Sequence, residues 1–84
     1  MICKFVTELK SKYGSASYTH VYTPRLEGNS WVARDVIISK EPLKLLSSSG
    51  TRGGKLISVN NFSAQEHASS ENNYRVTVVR DIEL

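Results

Sequence analysis

The C-terminal stretch of the chain is the clearest guide to its fold, and it reads Tyr74-Arg75-Val76-Thr77-Val78-Val79-Arg80-Asp81-Ile82-Glu83-Leu84. Alternate residues from Tyr74 to Leu84 are apolar except for Arg80, and the intervening positions are polar except for Val79. Side chains alternate between the two faces of an extended strand, so this pattern predicts a strand with one face on the hydrophobic core. We expect this strand to be central to the core.

Upstream of this stretch, four further segments have the β-branched and apolar composition that is typical of strands. They are residues 2–9, 16–23, 30–39 and 55–62. The connection from Pro24 to Asn29 has hairpin length and turn-forming residues, which predicts antiparallel pairing of the strands on either side of it. Neither face of segment 30–39 is purely polar, so we expect its second half to be buried on both sides.

The rest of the chain predicts one helix and two loops. Glu41 to Leu46 is the only candidate helix, because a proline is tolerated in its first turn and Leu43 and Leu46 are spaced to face a core together. Residues 47–54 predict a mobile serine and glycine loop, and residues 63–73 predict a polar loop. The predicted fold class is α+β and β-dominated, with about five mainly antiparallel strands in a small sheet or partly open barrel and one short helix near residues 41–47.

Length and composition predict one small folded domain over residues 1–84. Apolar residues make up 39% of the chain and charged residues 23%, which is typical of globular proteins and not of disordered ones. The single cysteine, Cys3, lies in an apolar strand, so we expect a core position rather than a disulfide. The sequence contains no signal-peptide or membrane-span pattern, so we expect a cytoplasmic protein with no membrane partner.

The basic charge of the chain lies in its first two thirds. Residues 1–55 hold nine Lys or Arg and four Asp or Glu, a balance of +5, whereas residues 56–84 hold two and four, a balance of −2. Within the basic part, the run from Thr51 to Lys55 contains two glycines flanked by Arg52 and Lys55. This run is not a P-loop, because a strand rather than a helix is predicted after it. It is either a flexible connection with incidental charges or a contact for an anionic partner.

A stripe of aromatic side chains is the second candidate contact surface. Tyr18, His20 and Tyr22 share one face of a predicted strand, and Trp31 lies across the predicted hairpin. Such a stripe is typical of sheets that stack the bases of single-stranded nucleic acid. Cross-strand aromatic pairs also stabilise ordinary sheets, so a core position is the other interpretation.

The sequence offers no recognisable chemistry for catalysis. His20 and His67 have no neighbouring Cys, His or carboxylate at metal-ligand spacing, although Glu66 adjoins His67. No Gly-x-Ser-x-Gly motif is present, and the carboxylates are scattered singly along the chain. We therefore predict that the protein is not an enzyme and has no catalytic residues, no cofactor and no metal.

Two functions follow from these expectations. The first is a small non-enzymatic interaction module, an inhibitor, adaptor or accessory subunit, that docks on a larger protein or complex. The alternative is a small nucleic-acid-binding protein that uses the basic loop and the aromatic sheet face. Exposed sheet edges also favour a homodimer. The candidate partner-binding residues are Arg52, Lys55, Arg25, Tyr18, Tyr22 and Trp31.

Overall fold

The computed structural model describes residues 1–68 and 73–83, and every regular element in these ranges is a β-strand. The strands are β1 (Cys3–Ser11), β2 (Gly14–Tyr22), β3 (Arg25–Glu27), β4 (Ser30–Ser39), β5 (Lys44–Arg52), β6 (Lys55–Ala68) and β7 (Tyr74–Glu83). In the described part of the chain there is accordingly no helix of the length and apolarity needed to cross a membrane. The fold of these residues is all-β.

The prediction of an α+β fold with about five strands and a helix near residues 41–47 is wrong. Residues 40–43 form an irregular connection, and strand β5 begins at Lys44. A helix of six or seven residues would form only about two or three internal hydrogen bonds and would be marginal alone. Paired with β1, the same segment joins a ladder that extends from Lys44 to Thr51. Strand pairing therefore overrides the spacing of Leu43 and Leu46.

The two segments expected to be loops lie largely in strands. Strand β5 continues through the serines to Arg52, and only Gly53 and Gly54 form the turn into β6. Their φ angles of 57° and 80° are those of a two-residue hairpin turn that requires left-handed residues. Residues 63–68 of the expected polar loop belong to β6, whereas residues 69–72 lie outside the described residues.

The strands form one antiparallel sheet in the order β2-β1-β5-β6-β7-β4-β3. Strands β2 and β3 lie at opposite ends of this order, yet only Thr23 and Pro24 separate them in the chain. Three residue steps span at most about 11 Å, so the sheet must curl until its two edges approach each other at this point. The result is a curled half-barrel. The predicted hairpin between segments 16–23 and 30–39 is wrong, because β2 pairs with β1 and β4 pairs with β3 and β7.

The hydrophobic core lies on the concave face of the sheet and consists of two clusters. The first contains Leu9, Ile37, Leu43, Val76 and Val78, with Tyr18 and Leu45 packed against it. The second contains Cys3, Phe5, Ala33 and Ile82, with Tyr22, Trp31, Ile57 and Val59 packed against it. Strand β7 contributes to both clusters and lies between β6 and β4, which agrees with the central position predicted for it.

The convex face of the sheet is open to solvent. Val36 and Ile38 of β4 point to this face and are 51% and 65% exposed. The expectation that the second half of this strand is buried on both sides is therefore wrong. A single curled sheet covers only its concave face, and the described residues include no helix or second sheet that packs on the other.

Candidate functional site

The structure places the candidate binding residues at separate locations. Arg52 and Lys55 are exposed and face each other at the hairpin between β5 and β6. Tyr18, Tyr22 and Trp31 are half-buried and pack against the core clusters. Most of the surface of each side chain is therefore covered by other residues of the protein. The nucleic-acid interpretation stays a prediction, but the aromatic residues do not form an open platform.

Tyr22 and Arg25 do line a common cleft of about 250 Å³ at the point where the two sheet edges approach each other. Arg34 on its wall donates a hydrogen bond to Glu27. This bond lowers the pKa of Glu27 and raises the pKa of Arg34, because each charged form stabilises the other. One of the two guanidinium groups in the cleft is thus neutralised, which weakens its attraction for an anion.

A layer of polar side chains separates the two core clusters. At its centre lies Arg80, which is fully buried, with Nη2 2.6 Å from Oδ2 of Asp35. The guanidinium also donates a 2.5 Å hydrogen bond to Thr7 and another to Ser48, and it lies 5.0 Å from the ring centre of Phe5. Strands β7, β4, β1 and β5 each contribute a residue to this layer. The residue that interrupts the apolar face of the last strand is therefore the centre of a buried network.

Two further side chains from β2 extend the polar layer toward solvent. Nδ1 of the half-buried His20 lies 3.4 Å from Oδ2 of Asp35. Burial raises the pKa of Tyr22 above its ordinary value of 10.0, and the nearby Asp35 adds to the rise while Arg80 opposes it. The layer therefore brings Asp35 into contact with both Arg80 and His20.

A gap between β5 and β6 is the second notable feature. The ladder between these strands contains only the pairs from Gly50 with Ile57 to Arg52 with Lys55. Beyond this ladder, β5 remains paired with β1 and β6 remains paired with β7, so β5 and β6 diverge from each other. A register shift in β6 accompanies the divergence, and Asn61 within it has a left-handed φ of 48°. The sheet is therefore split from this point onward.

The gap leaves two strand edges facing each other without a strand between them. In a two-residue hairpin the flanking residues form a hydrogen-bonded pair, and every second residue then points its main-chain groups at the partner strand. Gly50 and Ile57 are paired in this way, but no described strand pairing joins the next such residues, Ser48 and Val59. The main-chain groups beyond this point are available to an added strand.

The gap opens into a cleft of about 540 Å³ with a largely apolar floor. Leu43 and Val76 on the floor are buried, and Phe62 on the wall is 43% exposed. The only charged side chains among its described lining residues are Lys44 and Glu66. The volume lies in the range of typical ligand sites.

Sequence reasoning missed both the polar layer and the gap. Both charges were visible in the sequence, because Arg80 interrupts an apolar face of the last strand and Asp35 is the one charge on a largely apolar face of segment 30–39. Their contact depends on the pairing of β4 with β7, which local patterns do not specify. The described residues also contain no group of three or more side chains of His, Cys, Asp or Glu that could hold a metal ion.

The described residues thus belong to the all-β fold class and form a curled half-barrel with a split sheet. No family model matches the sequence, and neither the curated proteins nor the solved structures include a significant match. What the protein does is therefore inferred from its own geometry.

Proposed function

We propose that this protein is a non-enzymatic interaction module that binds an extended segment of another protein in the gap between β5 and β6. The observation that carries the proposal is the split in the sheet, where two strand edges border a cleft with a partly apolar lining. An extended segment added to such an edge gains main-chain hydrogen bonds, and pockets for its alternate side chains give specificity.

The composition of the cleft favours a peptide over a small polar ligand. Leu45 is half-buried and offers apolar contact on the inner side, and Phe62 adds an exposed aromatic ring. Each apolar side chain that a partner buried here would contribute up to about 1.5–3 kcal/mol before the costs of association. The adjoining strands are already held by β1 and β7, so the edges need little reorganisation on binding.

The non-enzymatic part of the proposal is supported by the state of the polar layer. Arg80 and Asp35 are 0% and 4% exposed and form an ion pair, and Arg80 also donates hydrogen bonds to the hydroxyls of Thr7 and Ser48. Groups enclosed in this way maintain the packing of a core and are out of reach of a substrate.

The test uses a library of synthetic ten-residue peptides with alternating apolar and polar residues, screened against the isotope-labelled chain by NMR. We expect binders to slow amide exchange along both edges of the gap and to leave the outer edges of β2 and β3 unchanged. Ala64→Trp should abolish binding, because Ala64 is exposed and lines the cleft. Thr19→Trp, at an exposed position of β2, is the matched control.

Three results would overturn the proposal. One is the absence of binding by every peptide in the library, and another is protection confined to the outer edges of β2 or β3. The third is a concentration-dependent dimer in sedimentation velocity that Ala64→Trp dissociates and Thr19→Trp does not. That result would assign the gap to a second copy of the chain instead of a partner protein.

A further inference from the structure

We infer that the segment bound in the gap carries a lysine or arginine among the alternate side chains that point into the half-barrel. This inference rests on the proposed function and specifies the chemistry of the partner. It follows from the direction of one acidic side chain on the wall of the gap, Glu66.

Glu66 lies on the inner face of β6. It pairs directly with Val76 of β7, which is fully buried in the core, and directly opposed residues of antiparallel strands share a face. Val76 and Glu66 also line the same cleft. Glu66 is nonetheless exposed, because β5 has diverged from β6 at this level and leaves the inner face uncovered.

The other charged residue of the cleft lies on the opposite face. Lys44 precedes Leu45, which packs against the core, so Lys44 points outward from β5. Its partner in the ladder with β1 is Lys10, also exposed, so Lys44 gains no neutralising neighbour there. The inner side of the gap is therefore acidic and apolar, whereas the outer side is basic.

The lining of the cleft suits the shape of a long basic side chain. The aliphatic stem of a lysine or arginine would contact the half-buried Leu45 while its charged end reached Glu66.

The partner segment is thus expected to alternate, with small apolar residues and one basic residue facing inward. An acidic residue in the same inward position would lie beside Glu66 and be repelled. A bound strand displaced by one residue would turn its basic side chain to the Lys44 side, so the charges also favour one register.

The test compares two synthetic peptides, Thr-Val-Thr-Lys-Thr-Val-Thr-Val-Thr and the same sequence with glutamate in place of lysine. Both sequences present the charged residue and valines on one face and threonines on the other. Fluorescence anisotropy of labelled peptides at low salt should give about threefold to tenfold tighter binding of the lysine peptide. Glu66→Gln should remove this difference, and Glu66→Lys should reverse it. Lys44→Gln is the matched control, and it should leave the preference for lysine in place.

The outcomes separate this inference from the proposed function. Equal binding of both peptides to the wild-type chain, unchanged in Glu66→Lys, would overturn the inference and leave strand addition standing. Stronger binding of the glutamate peptide would also overturn it. If neither peptide binds and the peptide library yields no binder, both the inference and the proposed function are wrong.

Discussion

Breaking the buried ion pair between Asp35 and Arg80 should destabilise the protein more than most single changes. Asp35→Leu leaves a guanidinium uncompensated inside the core, and Arg80→Met leaves a buried carboxylate. Removing one member of such a pair costs about 3–5 kcal/mol. At about 0.05–0.15 kcal/mol per residue, a chain of 84 residues has about 4–13 kcal/mol of stability in total. Either single variant should therefore lose a large part of its folded population.

The double variant, Asp35→Leu with Arg80→Met, distinguishes a coupled pair from two independent effects. It removes both charges and fills the space with apolar side chains. Its loss in free energy of unfolding should therefore be smaller than the sum of the losses in the two single variants, by at least about 2 kcal/mol. Some loss remains, because the hydroxyls of Thr7 and Ser48 lose Arg80 as a donor.

Urea denaturation followed by circular dichroism measures these differences, with a constant m-value showing that unfolding stays two-state. The exposed pair of Glu27 and Arg34 provides a control cycle, in which solvent screening should make the coupling much weaker. Additive losses at Asp35 and Arg80 would refute the reasoning, because they would mean that the two charges do not stabilise each other in the core.

Two further predictions concern the same layer of the core. Because the pKa of Tyr22 is raised in the folded state, the free energy of unfolding should fall as the pH rises above about 10, and Tyr22→Phe should reduce that fall in urea titrations at alkaline pH. An identical alkaline decline in Tyr22→Phe would count against the buried position of its hydroxyl. Gly50→Ala should cost about 1–3 kcal/mol in thermal unfolding, because the added Cβ would lie 3.1 Å from atoms of both Phe5 and Ile57. A melting temperature equal to that of the wild type would show that these side chains move aside without cost.

Local patterns predicted strands well where one face is buried and the other is wet. The alternation in β7 placed Val76, Val78 and Ile82 correctly on the core side, and Cys3 was correctly predicted to be buried. The same reasoning failed for β5, because Leu43 and Leu46 have a helical spacing and the serines that follow have little preference for a strand. That segment is extended because β1 offers it a ladder, which is a long-range effect.

The candidate site was less predictable than the strands. Strand order decides that Arg80 meets Asp35 and that β5 separates from β6, and strand order depends on pairings between distant parts of the chain. The basic and aromatic residues were chosen for their chemistry, yet chemistry alone does not show which face of a sheet is covered. Tyr18 and Tyr22 lie on the concave face because β1 presents its apolar residues there.

The strand order also determines when the chain can fold during its synthesis. Strand β4 ends at Ser39, but β7, which pairs with it, begins only at Tyr74. About 35 further residues must therefore be synthesised before this pairing can begin to cover the apolar side chains of β4. Strands β1 and β2 can form a hairpin early, because they adjoin in sequence. The half-barrel itself should therefore close late and slowly, through contacts that are distant in sequence. Until β7 is made, β4 and β6 each lack a partner strand along one edge, and such edges are prone to aggregate or to be bound by a chaperone.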